Sequence, residues 1–453
     1  MLGNVTRAEG TMMHNQFLSD TRLWFRSIVL VALAALCVSG CSDSGKSDVS
    51  ETPAAATTYR ISTQPDFDSL KRVVFDGGDQ ILFERGRSFE GALSLKRSNV
   101  RPDSAITVAD FGSTEAPRPV ISADAEGMGT IDIRDSGGWI IENLELINQS
   151  AVRTKRYGVF VTAMDSGTHK HFVVRNCLIH DITGEYGNKD NGGIVFRVYG
   201  TAVPTKFDGV LIENNEIRDI SGVGLRIKSP WEADPDDPRE VSNPIERHAI
   251  LNLVVRGNRV SNTTANAIVI ASADAPLAEY NIMGPNISTE VTGNSLFTYA
   301  TDSALVQYNE AFGNHSPAAD KDRGGFDADW NSRDTVFQFN YSHDNNFAFA
   351  IMRRYHDGLR IHHNVSENER FGFIHYGFAG DHAITDIVVN NNTFYSTSPN
   401  MMMFMNFGRP RNPINTSFID NIFVFASGGA SWGSDNGAIR TGSSSAEAIR
   451  VRS

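Results

Sequence analysis

From about residue 60 the chain alternates apolar and polar residues in short runs, a period of two that predicts β-strands and disfavours helices. The runs recur around an asparagine, as in "IENLEL", "VRNCLI", "IENNEI", "VRGNRV", "VTGNSL", "FQFNYS", "IHHNVS", "VNNNTF" and "FIDNIF". These place Asn143, Asn176, Asn215, Asn258, Asn294, Asn340, Asn364, Asn392 and Asn421 at intervals of 33, 39, 43, 36, 46, 24, 28 and 29 residues. A short minimum repeat with variable excess predicts a solenoid of β-coils, each with two or three short strands and loops bulging from its corners. Asparagine suits a tight corner, because it tolerates left-handed backbone and its amide can bond to the asparagine one coil above. A propeller would demand more uniform repeats.

Each asparagine corner leads to a further strand, usually opened by Gly or Ala. Stacked in order, these strands carry Val159, Ile194, Leu225, Ile268, Leu305, Phe326, Phe349, Phe373 and Met403 at their second position. That column is apolar throughout, so it faces the core and sets the register. Positions three and five then point outward, on coils about 4.8 Å apart. Arg197, Arg226 and Lys228 form a basic patch on two consecutive coils. Asp327 and Asp329 share one strand, with Tyr308 expected one coil before them, Arg353 and Arg354 flanking them after, and Tyr376 a coil later. His375, at position four, is expected to point inward. The runs 229–248, 272–286 and 309–324 all leave one edge of this sheet and read as loops walling a groove.

The N-terminus reads differently. Arg22 and Arg26 precede "SIVLVALAALCV" and "SGC", the layout of a signal segment too short to span a membrane comfortably. "VSGC" at Val38–Cys41 resembles a bacterial lipobox, which implies cleavage before Cys41, lipidation there, and, with Ser42 following, sorting to the outer membrane of a Gram-negative cell envelope. The expected organisation is a signal over 1–40, a flexible tether over 41–57, the solenoid over 58–427 and a tail over 428–453 without a clear capping helix or strand. The chain has 3 cysteines, and once the signal is removed and Cys41 lipidated only Cys177 remains, which leaves no partner for a disulfide. A formal net charge of -12 argues against a general nucleic-acid binder. A monomer touching the membrane only through its lipid is expected.

With its asparagine corners and the opening "GGDQILFERGRSFEGALSL" (Gly77–Leu95), the chain resembles the right-handed parallel β-helix superfamily of pectate lyases, polygalacturonases and alginate lyases. The resemblance covers about residues 60–427. It implies an all-β fold, a single elongated right-handed parallel β-helix of about nine to eleven coils, and action on polysaccharide in a groove.

The residues leave the reaction open. Carboxylates at i and i+2 of a strand stand roughly 6.6 Å apart, which suits a glycosidase acid and base pair. Asp327 and Asp329 are the first candidates, supported by Asp322 or Asp344. The alternative is a polysaccharide lyase that cleaves a uronic-acid polymer by β-elimination, with Lys228 or Arg226 as base and Tyr308 or Tyr376 as acid. Under either reaction Arg197, Arg226, Arg353, Arg354, Tyr308, Tyr376 and His375 are expected to contact substrate. Either no cofactor is needed, or Ca²⁺ is held by Asp327, Asp329 and Glu310. The basic patch points to an anionic polysaccharide, unless it pairs with acids of a neighbouring loop. The third reading is a glycan-binding surface protein without catalysis.

Overall fold

The computed structural model describes residues 55–123, 128–186, 189–230, 249–286, 293–315, 322–351, 357–376, 385–397, 402–406, 414–425 and 449–452. Their strands form three all-parallel sheets of 15, 11 and 12 strands, each coil giving one strand to each sheet in turn. This is a right-handed parallel β-helix. The 11-stranded sheet is the one expected to carry the groove, and its inward column runs Ile194, Leu225, Ile268, Leu296, Phe326 and Phe349, all fully buried. A short helix, Gln64–Leu70, starts at a capping box between Thr63 and Asp66. It sets Phe67 against Phe83 and Phe89, which closes the first end of the core. Inside the expected tail, Ile449–Arg452 pairs with Ile414–Ile419 as a further parallel strand.

The asparagine corner is a continuous ladder through Asn215, Asn258, Asn281, Asn309, Asn340, Asn364, Asn392 and Asn421. At each rung Nδ2 and the backbone N–H donate to Oδ1 of the next, at 2.9–3.0 Å, as from Asn309 to Asn340. Three of the expected positions are corrected by this pattern. Asn143 and Asn176 occupy the left-handed seat just before the ladder (φ 61° and 54°), and Cys177 sits where the ladder begins, donating its N–H to Asn215. Burial pushes the Cys177 thiol up to about 12, so it stays an inert core group. Asn294 is not a rung at all. The wide intervals on either side of it concealed a whole coil, whose rungs are Asn281 and Asn309.

That omission moved strands between sheets. Leu305–Gln307 belongs to the 15-stranded sheet, and its place before the aspartates is taken by Leu296–Tyr299. The run 272–286 is therefore ordinary coil with three short strands, Ala273–Asp274, Leu277–Glu279 and Ile282–Met283, and 309–324 contains Glu310–Phe312. Residues 231–248 and 316–321, from the expected walls, lie outside the described residues.

A second corner aligns Asn314, Asn345 and the buried carboxyl of Glu369, which accepts from the Asn345 N–H at 2.7 Å and from Ser342 Oγ at 2.6 Å. Burial outweighs these bonds and raises the Glu369 pKa to about 7. Between the ordinary value of about 4.5 and about 7, the unfolded chain has lost this proton and the folded chain keeps it, so stability falls as pH rises through that window. Glu369→Gln is expected to flatten the decline, worth about 3 kcal/mol from this group, when melting temperatures are compared across the window.

Candidate active site

On the 11-stranded sheet the pairing runs Arg226, Val269, Phe297, Asp327, Ala350, His375 in successive coils. Partners in a parallel sheet share a face, so this is the outward column. It is nevertheless covered: Val269 and Ala350 are 1% exposed and Asp327 only 2%. His375 is corrected from inward to outward, because Phe349 pairs with Ile374 and not Phe373. It is buried, with its ring edge-to-face on Phe347.

Asp327 lies in the strand Gly324–Ala328, opened by two glycines that leave no room for a side chain: a Cβ on Gly324 would sit 2.1 Å from the Phe347 ring. Asn294 Nδ2 donates to Asp327 Oδ2 at 2.5 Å, while Asn294 Oδ1 accepts the N–H groups of Arg323 and Gly324. Asn294 thus fastens the carboxyl to its own strand. Asp327 Oδ1 is buried and has no hydrogen-bond partner among the described residues. Burial, then the nearby Asp329 and Asp322, hold the Asp327 proton well above the usual carboxylate range. Asp322 precedes the strand and Asp329 follows it, and both are half-buried. The Asp329 N–H donates to the Thr298 carbonyl at 2.8 Å, and its Oδ1 takes the Trp330 N–H at 2.7 Å.

The sequence reading missed a cation here. Lys189 Nζ stands 5.7 Å from the centre of the Phe297 ring, and Phe297 is the strand partner of Asp327. Burial lowers the pKa of this ammonium, against the opposing pull of Asp322, Asp329 and Asp327. The only hint in the sequence was the charged "KD" before the strand Gly192–Tyr199.

The basic patch is real but occupied. Asp190 accepts from Lys228 Nζ at 3.0 Å and lies 3.6 Å from Arg197, 3.7 Å from Arg226 and 3.3 Å from Lys155. These cations hold its carboxyl far below the ordinary range in spite of burial. A partner acid therefore comes from the connector before the strand, while the acids of 231–248 lie outside the described residues.

Other expected members lie elsewhere. Tyr308 sits at a left-handed corner of the coil, φ 54°, stacked between Tyr280 and Phe339. Asp344 is at a corner after Tyr341–His343 in the 12-stranded sheet, 2.8 Å from His343 Nδ1, and Glu310 is 3.2 Å from the other ring nitrogen. Glu310 points outward from that sheet, so it cannot complete a Ca²⁺ site with Asp327 and Asp329. Among the described residues, no three His, Cys, Asp or Glu side chains are grouped to hold a metal ion. Trp330 is a packing residue, 7% exposed against Tyr299. Arg353, Arg354 and Cys41 lie outside the described residues, as does the side chain of Tyr376.

Coils, corner ladder and covered outward column together define a parallel β-helix protein with an acidic cluster on one sheet. Solved structures with this architecture include the GH136 lacto-N-biosidase of Eubacterium ramulus. Its selenomethionine and native forms give TM-scores of 0.66 and 0.64 at 21% and 20% identity, each covering 82% of this chain and 68% of theirs. By sequence the chain is 23% identical over 435 residues to the lacto-N-biosidase of Bifidobacterium longum subsp. longum, covering 77% of this chain and 26% of that protein. It thus spans about a quarter of that relative's length. No family model matches it.

Proposed function

We propose that the chain is a glycoside hydrolase whose bond cleavage is carried by Asp322 and Asp329, with Asp327 as their buried, protonated neighbour. The carrying observation is the clustering of three carboxyls and one ammonium at a single strand, of which only Asp322 and Asp329 are open enough to meet a glycan. One carboxyl of a glycosidase pair protonates the leaving oxygen, and the other supports the sugar carbon or activates water. Likeness to the lacto-N-biosidases supports hydrolysis over elimination. The lyase reading has less support, because Lys228, its base, is engaged with Asp190. With the patch cations drawn onto Asp190, the reading favours an uncharged sugar at the scissile bond over the anionic one expected.

The test is incubation of the purified protein with neutral and acidic glycans, following reducing ends and the absorbance of unsaturated uronates together. New reducing ends without absorbance are expected. Absorbance would restore the lyase reading, and neither signal would favour glycan binding alone.

We also propose attachment to the outer membrane through lipid on Cys41. Cys41→Ser is expected to move the protein from the membrane fraction to the soluble fraction, and retention in the membrane would overturn this.

A further inference from the structure

The connector 189–191 is fastened at every residue. The Lys189 carbonyl accepts from an Arg226 guanidinium nitrogen. The Asp190 carboxylate gathers Lys155, Arg197, Arg226 and Lys228. Asn191 is fully buried, and its Oδ1 takes the Arg156 N–H at 3.2 Å. Connectors on a solenoid surface seldom need so many anchors, since loops of this kind tolerate change. Here the fastening fixes the direction of one long side chain. A lysine side chain has much rotamer freedom to lose, and its ammonium here stands over the face of Phe297, the strand partner of Asp327.

We propose that Lys189 is a positioning residue for the hydrolysis, its ammonium setting the charge balance of Asp322 and Asp329, and that Arg197, Arg226 and Lys228 serve to hold the connector that carries it. This rests on the proposed function above only in naming the reaction. The groups facing the ammonium are Asp322, Asp327 and Asp329 from the acidic strand and its flanks, and Arg226 from the strand Val223–Lys228. A cation at this place favours the ionised carboxylates, so its removal makes them hold protons to higher pH.

The experiment reads those protons without needing turnover. Carboxyls of the intact protein are coupled to glycine ethyl ester with a water-soluble carbodiimide across a pH series, and modification at Asp322 and Asp329 is quantified by mass spectrometry. Lys189→Met is expected to move the labelling midpoint upward by roughly one pH unit, and Lys189→Arg to leave it in place. Coincident curves for Lys189→Met and the parent overturn the proposal, as does an equal shift in Lys189→Arg, which would make the effect one of shape. Circular dichroism checks the fold, and Lys189→Gln replaces the methionine variant if that one fails to fold. The acid limb of kcat/KM is expected to follow the labelling midpoint. A labelling shift in a protein inactive on every glycan would uphold the role of Lys189 and remove the hydrolase reading instead.

Discussion

On the proposed reading, Asp329→Asn and Asp322→Asn are each expected to lower glycoside hydrolysis by roughly 10²–10⁴-fold, the usual worth of a positioned acid or base, with the fold unchanged. Both side chains are half-buried, beside the ends of the strand Gly324–Ala328. Asp327→Asn behaves differently. The replacement amide has the same shape, can still accept from Asn294 Nδ2, and substitutes for a carboxyl whose hold on its proton burial already strengthens. Its loss is expected to stay within about tenfold, since it acts on its neighbours and not on substrate. Initial rates for the three variants on one cleaved glycan make the comparison. Should Asp327→Asn be as inactive as the others, Asp327 itself handles the proton, and its cover must open during turnover.

Asn309→Ala has the largest expected effect on stability. Asn309 sits in mid-ladder: its Nδ2 reaches the carbonyls of Ala278 and Gln307 and Oδ1 of Asn340, and its Oδ1 accepts both the N–H and Nδ2 of Asn281. Alanine leaves several of these groups buried and unpaired, at about 1–3 kcal/mol apiece. A loss of roughly 3 kcal/mol or more follows, and it is confined at first to neighbouring coils, because a solenoid couples nearest neighbours. Hydrogen exchange should show faster opening around Asn281 and Asn340 than at the first coils. Uniform acceleration along the chain would contradict this. Exposed Asn252→Ala, whose Nδ2 donates to Asp208, serves as the mild control.

The repeat was readable because one physical requirement, a left-handed corner followed by a stacked amide, recurs with little sequence freedom. Its period was less secure. Asn281 in "EYNIMG" and Asn309 in "QYNEAF" carry the same corner, but Asn294 in "VTGNSL" looks more like its neighbours and serves a different purpose. Pattern alone cannot distinguish an asparagine that stacks from one that holds a carboxyl. Skipping one coil then misplaced Tyr308 and the walls, while Asp327 kept its face, because its own strand fixes that by alternation. Lys189 and Asp190 were invisible for another reason. They lie on a connector, where no periodicity reports direction, and their partners are distant in sequence.

The span of the cluster has a consequence for how such a chain can change. Between Gly192–Tyr199, whose lead-in carries Lys189, and Gly324–Ala328 stand the strands Val223–Lys228, Ile268–Ala271 and Leu296–Tyr299. The distance bridged is about 19 Å at the spacing of neighbouring strands. Solenoids ordinarily lengthen or shorten by whole coils with little harm, yet one coil gained or lost within this interval would carry the ammonium past its aspartates. If Lys189 serves its aspartates as proposed, the winding is free to vary at either end and fixed in the middle, where the number of turns becomes a dimension of the site.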